Sequence, residues 1–284
     1  MILTYPDAIN LAAATLANAG IEAPRREARL LLAHLLALPA RSLPPENATV
    51  EAARVHAAVV RRAAREPLAY ITGTQGFWTI DLEVSPATLI PRADSETLIE
   101  AALALFPNRA AVTRVLDLGT GTGCLLLAAL TEFPAAFGIG VDRAPAAAAL
   151  AARNAARLGL ADRTAFLAGH WTDALATRVD LLLCNPPYIE TASIPGLMPE
   201  VARHEPALAL DGGADGLAAY AAVIPALPDL LSPGGAAILE LGADQAEATA
   251  ALAQAAGFTR IFTHHDLGGM QRALVLHGVA ERPT

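Results

Sequence analysis

The chain has 284 residues, more than half of them apolar, which is enough for one large domain or a large and a small one with full cores. Its net charge of −8 argues against a general affinity for duplex phosphates, and two scattered cysteines, Cys124 and Cys184, exclude a disulfide framework or a zinc site. Every long apolar stretch is broken by Arg, Asp, Pro or Gly, and the opening residues lack the basic start of a signal peptide, so a soluble, cytoplasmic protein is expected.

The first segment reads as a small helical bundle. Helices are expected over 7–20, closed by Gly20, from Pro24 to just before Pro39, and over 50–65. Arg61, Arg62 and Arg65 fall near the end of the third, where cations favour the macrodipole. Residues 1–75 carry eight arginines and six acids, a balance of +2, which leaves −10 for the remainder. A solvated helix face accounts for that mild excess more simply than an acidic or RNA-bound partner does.

Composition changes near Tyr70, and alternation over 77–84 reads as a hairpin or extended linker. The expected division is therefore a helical domain at 1–70, a hairpin or linker at 71–94, and a second domain at 95–284. A helix running to about Leu105 follows, with Asp94 or Ser95 as its N-cap. On their own, Arg92 and Glu96 read as surface charges around that helix start.

From Arg114 the rhythm becomes strand, glycine turn, helix. Strands are expected at 115–118, 137–141, 164–167 and 179–184, with helices at 124–132 and 144–158 between them. After a loop through Gly216 come a helix at 217–231, a strand at 236–241 and a helix at 244–256. The pair 258–264 and 272–277 reads as antiparallel. Such alternation points to an α/β fold with a doubly wound parallel sheet, whose ligands lie at the carboxyl ends of the strands.

Two stretches carry chemistry. The first is Asp117-Leu118-Gly119-Thr120-Gly121-Thr122-Gly123, a glycine turn that lets backbone N–H groups approach a ligand. A phosphate-gripping loop needs a lysine, and the chain has none; a dinucleotide loop needs a sixth-position glycine, where Cys124 stands. The remaining pattern is that of class I S-adenosylmethionine-dependent methyltransferases. Asp142, at the end of the next strand, can accept from ribose hydroxyls or cap the following helix. The second stretch is Asn185-Pro186-Pro187-Tyr188, directly after the apolar run 179–184. Prolines without N–H groups hold the chain extended beside a side-chain amide and an aromatic face, a setting suited to a planar –NH2 group.

With these motifs go Tyr70-Ile71-x-Gly73, Leu89-Ile90-Pro91-Arg92-x-Asp94-Ser95-Glu96, Gly169-His170-Trp171, Glu205-Pro206-Ala207-Leu208-Ala209-Leu210, Asp215-Gly216-Leu217 and Asp266-Leu267-Gly268-Gly269. Along nearly its whole length the chain resembles the release-factor glutamine N5-methyltransferases, the HemK/PrmC family. The resemblance implies a helical N-terminal domain that docks the substrate protein, a β-hairpin linker and a Rossmann-like catalytic domain with a mixed seven-stranded sheet. It implies S-adenosylmethionine as cofactor, held by Asp117, Gly119, Thr120, Gly121, Thr122, Gly123, Asp142, Trp171 and Asn185. It implies catalysis at Asn185, Pro186, Pro187 and Tyr188, where the glutamine amide is held, and raises Arg92, Glu96 and Glu205 to substrate-side residues. No metal is implied.

The implied partners are class I peptide chain release factors, methylated at the glutamine of Gly-Gly-Gln, with no stable nucleic acid and no membrane. One departure stands out: the family commonly has Gly-Asp-Trp where this chain has His170, so His170 or Asp173 would have to supply the missing acceptor. The competing expectations are glutamine methylation of a ribosomal protein, N6-adenine methylation, which also uses Asn-Pro-Pro-Tyr, and a non-catalytic module that docks release factors through residues 1–70.

Overall fold

A computed structural model describes residues 1–39, 42, 44–45, 47–173 and 175–280. Arg41 and Glu46 of the charge count above, and the last four residues of the expected second domain, lie outside the described residues. The chain divides into two units, Met1–Thr74 with Met198–His204, and Gln75–Leu197 with Glu205–Thr284.

The first unit is built from β1 (Ile2–Thr4), α1 (Tyr5–Asn18), α2 (Pro24–Leu35), β2 (Thr49–Glu51), α3 (Ala52–Ala63) and α4 (Leu68–Thr72). Leu16, Leu31, Leu32, Val55, Val59 and Ile71 form its core. The expected helix over 50–65 begins two residues later, because Val50 pairs with Leu3 in a short antiparallel ribbon. Beyond α3, Leu68–Thr72 adds a turn of helix, ended by Gly73 at φ +76°, a conformation open to glycine at no steric cost.

A helix at Pro199–His204 belongs to this unit, although the sequence suggested only loop there. Its Glu200 accepts from Arg62 at 2.9 Å and from Arg65 at 3.0 Å, and Arg62 also donates to Glu27 at 2.5 Å. Arg62 is therefore a buried cross-brace, not a solvated helix-end charge, since two carboxylates repay its desolvation.

The second unit opens, from Gln75, within β3 (Thr74–Phe77), followed by β4 (Ile80–Glu83), with which β3 pairs as a two-stranded sheet, and α5 (Glu96–Leu105). Next come β5 (Arg114–Leu118), α6 (Cys124–Glu132), β6 (Phe137–Asp142), α7 (Pro145–Arg157), β7 (Thr164–Ala168) and β8 (Val179–Cys184). The strands β9 (Leu231–Glu240), β10 (Phe258–His265) and β11 (Gln271–Val279) complete a seven-stranded sheet ordered β10-β11-β9-β8-β5-β6-β7. It is parallel from β9 to β7 and antiparallel at β9–β11 and β10–β11. Leu116, Leu182 and Leu239 face Tyr220, Ile224 and Leu227 on one side, while Val115, Leu181 and Leu183 face Leu98, Leu126 and Leu127 on the other. Burial on both faces explains why β8 reads as an unbroken apolar run.

Two expectations change here. The helix expected over 217–231 is split into Ala218–Val223, a 3₁₀ turn at Ile224–Ala226 and Leu227–Leu230, because Pro225 and Pro228 each remove a backbone donor. In addition, β9 starts at Leu231 and takes in Ser232-Pro233-Gly234-Gly235, with its register against β8 shifting between Val179 and Leu181.

Candidate active site

Strand order reverses beside β5, whose neighbours β6 and β8 lead to opposite edges of the sheet. Crevices open at the carboxyl ends of strands at such a switch point. The register pairs Leu118 of β5 with Cys184 of β8, so the glycine turn and the Asn-Pro-Pro-Tyr turn leave the sheet side by side. A cavity of about 610 Å³ lies there, within the range of about 300–1,000 Å³ typical of small-molecule sites.

The turn after β5 folds back on β6, with Gly119 and Thr120 N–H groups donating to the Val141 carbonyl at 2.9 and 3.0 Å. Gly121 takes φ +55° and Gly123 φ +82°, a left-handed region that L side chains rarely adopt. A Cβ on Gly123 would also stand 3.2 Å from Ala151 of α7. Asp142 ties the turn down, since Oδ2 accepts from Gly121 N–H and Oδ1 from Ala144 N–H, both at 2.8 Å. One carboxylate thus braces the glycine turn and the start of α7.

Asp117 is buried, and burial pushes its carboxyl up to about 7. Its Oδ2 accepts from the Thr120 hydroxyl at 2.6 Å, while Oδ1 has no hydrogen-bond partner among the described residues. Asp117, Gly119, Thr120, Gly121, Thr122, Asp142 and Trp171 all line the cavity; Gly123 does not. Trp171 lies over the turn, 3.6 Å from where a Gly119 Cβ would stand. His170 also lines the cavity, whereas Asp173 points to solvent and reaches His170 at 3.7 Å.

At the end of β8, Asn185 and Pro187 line the cavity and Pro186 and Tyr188 do not. The Asn185 Nδ2 donates to Ser95 Oγ at 3.1 Å, and Ser95 in turn donates to Glu240 Oε2. The Tyr188 hydroxyl donates to Glu240 Oε1 at 3.0 Å, and Gln245 Nε2 donates to the Tyr188 carbonyl at 3.0 Å. Burial holds the Tyr188 phenol well above its ordinary pKa and pushes Glu240 up to about 7.

The substrate-side candidates separate. Arg92 lines the cavity and donates to buried Glu205, which also accepts from Ile90 N–H at 3.1 Å. Glu205 is the support and Arg92 the exposed end of that pair. Glu96 is turned to the hairpin instead, where it accepts from Trp78 N–H at 2.7 Å and holds a turn with Trp78 at φ +55°. Ser95, one of the two expected caps of α5, makes no capping bond, and its hydroxyl goes to Glu240. Reasoning from sequence passed over Thr88, Arg143 and Glu240; Thr88 and Arg143 border the cavity and carry no local motif.

A doubly wound sheet, a glycine turn on its first parallel strand, an acid on the next and Asn-Pro-Pro-Tyr beside them define a class I S-adenosylmethionine-dependent methyltransferase. Comparison with known proteins narrows that class. A family model described as "Methyltransferase domain" matches residues 110–263, and one described as "PrmC N-terminal domain" matches 7–73. The chain is 47% identical over 270 residues to the release factor glutamine methyltransferase of Cereibacter sphaeroides, spanning 94% of this chain and 95% of that protein. It is 44% identical over 269 residues to the protein of the same name from Rhodospirillum rubrum, spanning 93% and 82%. The hMettl16 catalytic domain, solved in complex with a MAT2A 3′UTR hairpin, is 14% identical with a TM-score of 0.58 over 95% of this chain and 94% of that one, a likeness of fold alone. The chain belongs to the release factor glutamine methyltransferase family.

Proposed function

We propose that the chain transfers a methyl group from S-adenosylmethionine to the side-chain N5 of the glutamine in the Gly-Gly-Gln motif of bacterial class I peptide chain release factors. The observation that carries this reading is the pairing of Leu118 with Cys184, which sets Asn185 against the glycine turn across one cavity.

The residues present fit the cofactor. Asp117 offers a buried carboxylate oxygen with no partner among the described residues, which suits an ammonium group. Asp142 keeps lone pairs for ribose hydroxyls beyond its two backbone bonds, and Trp171 offers an aromatic wall. When bound, S-adenosylmethionine supplies an electrophilic methyl on a sulfonium sulfur.

The chain's own task is alignment, because an amide nitrogen is a poor nucleophile whose lone pair is delocalised. With Nδ2 of Asn185 committed to Ser95, its Oδ1 is the end left to accept one amide hydrogen. We assign the other to the backbone carbonyl of Pro186, which follows Asn185 directly although Pro186 itself does not line the cavity, so that the nitrogen is held with its lone pair directed at the methyl in near-attack geometry. Tyr188 holds the turn in place through Glu240, and Arg92, steadied by Glu205, meets the substrate backbone at the cavity rim. The proton leaves to water, and no side chain is required as a strong base. The net charge of −8 supports a protein substrate without stable nucleic acid. Among the described residues no helix is long and apolar enough to cross a membrane, which supports a reading without a membrane partner.

The test is mass spectrometry of a purified, unmethylated release factor after incubation with this protein and S-adenosylmethionine. A single methyl on the Gly-Gly-Gln glutamine is the expected result. Transfer to a ribosomal protein instead, with the release factor untouched, would overturn the substrate and keep the reaction.

A further inference from the structure

Behind Asn185 runs a series of buried polar groups drawn from three distant parts of the chain. Asn185 Nδ2 donates to Ser95 Oγ, Ser95 donates to Glu240 Oε2, and Glu240 Oε1 accepts from the Tyr188 hydroxyl. Ser95 and Glu240 are 2% and 1% exposed, so water does not substitute for these partners. Glu240 ends β9, one of the central strands, and its backbone is fixed on both sides: it pairs with Ala273, and its carbonyl accepts from Tyr220 at 2.8 Å. A side chain mounted on a strand is held more closely than one on a loop.

The two ends of an asparagine amide have nearly the same size and shape, so only hydrogen bonding decides which faces a ligand. Glu240, raised by burial to about 7, is ionised above that pH and is then an acceptor alone. It takes the single hydrogen of the Ser95 hydroxyl, and Ser95 can then only accept. The end of Asn185 that meets Ser95 must therefore be the donor, Nδ2. We propose that Ser95 and Glu240 are positioning residues that orient the Asn185 amide so that Oδ1 is offered to the substrate, an inference that rests on the function proposed above.

Glu240 is surrounded consistently with that role. Arg272 lies near it, paired with Asp94 at 3.3 Å and Asp266 at 3.4 Å, and lends positive charge to the carboxylate. Without Glu240, the Ser95 hydrogen would be free to donate to Oδ1. The amide could then turn over and set an NH2 group against the NH2 of the substrate glutamine, donor against donor.

The experiment compares Glu240→Met, Ser95→Ala and the double variant with the wild type. It measures kcat on unmethylated release factor, the dissociation constant for S-adenosylmethionine and the melting temperature. Methionine matches glutamate in length and removes both acceptors, so the fold is retained; Ser95→Ala removes one oxygen and breaks the same series should Glu240→Met fail to fold. Each single variant is expected to lower kcat roughly 10- to 100-fold, the scale of a small misplacement of a reacting group, with cofactor affinity within about twofold. Because the two links are in series, the double variant should lose no more than the worse single one. Losses that multiply, single variants within twofold of wild-type kcat, or a fall in cofactor affinity that tracks kcat would each overturn the proposal. A folded wild-type protein that binds S-adenosylmethionine but transfers nothing to release factor would instead overturn the function on which it rests.

Discussion

Replacing Asp142 with alanine tests the structural logic of the cofactor side. The side chain accepts from two backbone N–H groups at 2.8 Å, one in the glycine turn and one at the start of α7. Hydrogen bonds to a charged acceptor contribute about 1.5–3 kcal/mol each. Asp142 is only half-buried, so water partly replaces the lost bonds and the lower figure applies. The pair then costs about 3 kcal/mol. For a unit of roughly 200 residues, each kcal/mol moves the melting temperature by about 2–4 °C, which predicts a fall of about 6–12 °C. Asp142→Asn keeps one acceptor and loses the other, so its fall should be about half as large. Calorimetric titration should show S-adenosylmethionine binding weakened at least tenfold in the alanine variant, because Gly121 loses its anchor and the acceptor proposed for the ribose is removed with it. Melting within 2 °C of wild type, or identical behaviour of the two variants, would refute the idea that Asp142 braces the turn.

Asn185→Ala should lower turnover on release factor by about 10²–10³, the scale of removing one transition-state hydrogen bond, with cofactor affinity nearly unchanged; equal losses in both would argue for a general collapse of the site. A methyl added at Gly140 would stand 2.6 Å from Phe166 and 2.9 Å from Thr120 Oγ1, so Gly140→Ala should cost about 1–3 kcal/mol in urea unfolding, and an unchanged midpoint would show that β6 and β7 can part. Arg62→Ala leaves Glu27 without its guanidinium and Glu200 with Arg65 alone and should cost about 3 kcal/mol, the low end for breaking a buried pair, read by the same unfolding curves. Burial raises the folded Asp117 and Glu240 to about 7, above their ordinary values of 3.8 and 4.5, so the native state keeps protons that the unfolded chain loses, and stability should decline as pH rises from about 4 through 7. Glu240→Met removes one of the two groups and should flatten that decline in melting temperature against pH; an unaltered slope would mean that Glu240 does not titrate there.

Much of this protein is legible locally. The glycine turn can be read because positive φ values at Gly121 and Gly123 demand glycine, and Asp142 because it lies one strand on. The apolar run of β8 and the two prolines after it mark a buried strand that stops abruptly. These are short-range features, set by backbone sterics and by which faces a strand buries.

Other features depend on contacts between residues far apart in the chain. Ser95 has the local look of a helix cap, and only β9 packed beside it supplies the carboxylate that draws its hydroxyl away from α5. Glu240 sits in a run of apolar residues with nothing nearby to mark it, so its role emerges only when Tyr188, Ser95 and Arg272 converge on it. Glu96 and Arg92 belong to one motif, yet the hairpin takes Glu96 while Glu205, more than a hundred residues on, takes Arg92. Arg62 reads as a solvated cation until Glu200 arrives from a distant loop to bury it. Sequence alone determined where the chain turns and which strands are buried, because those depend on neighbours within a few residues. Tertiary structure decided which polar side chain meets which, because a buried hydrogen bond is worth making only with the partner that the fold brings within reach.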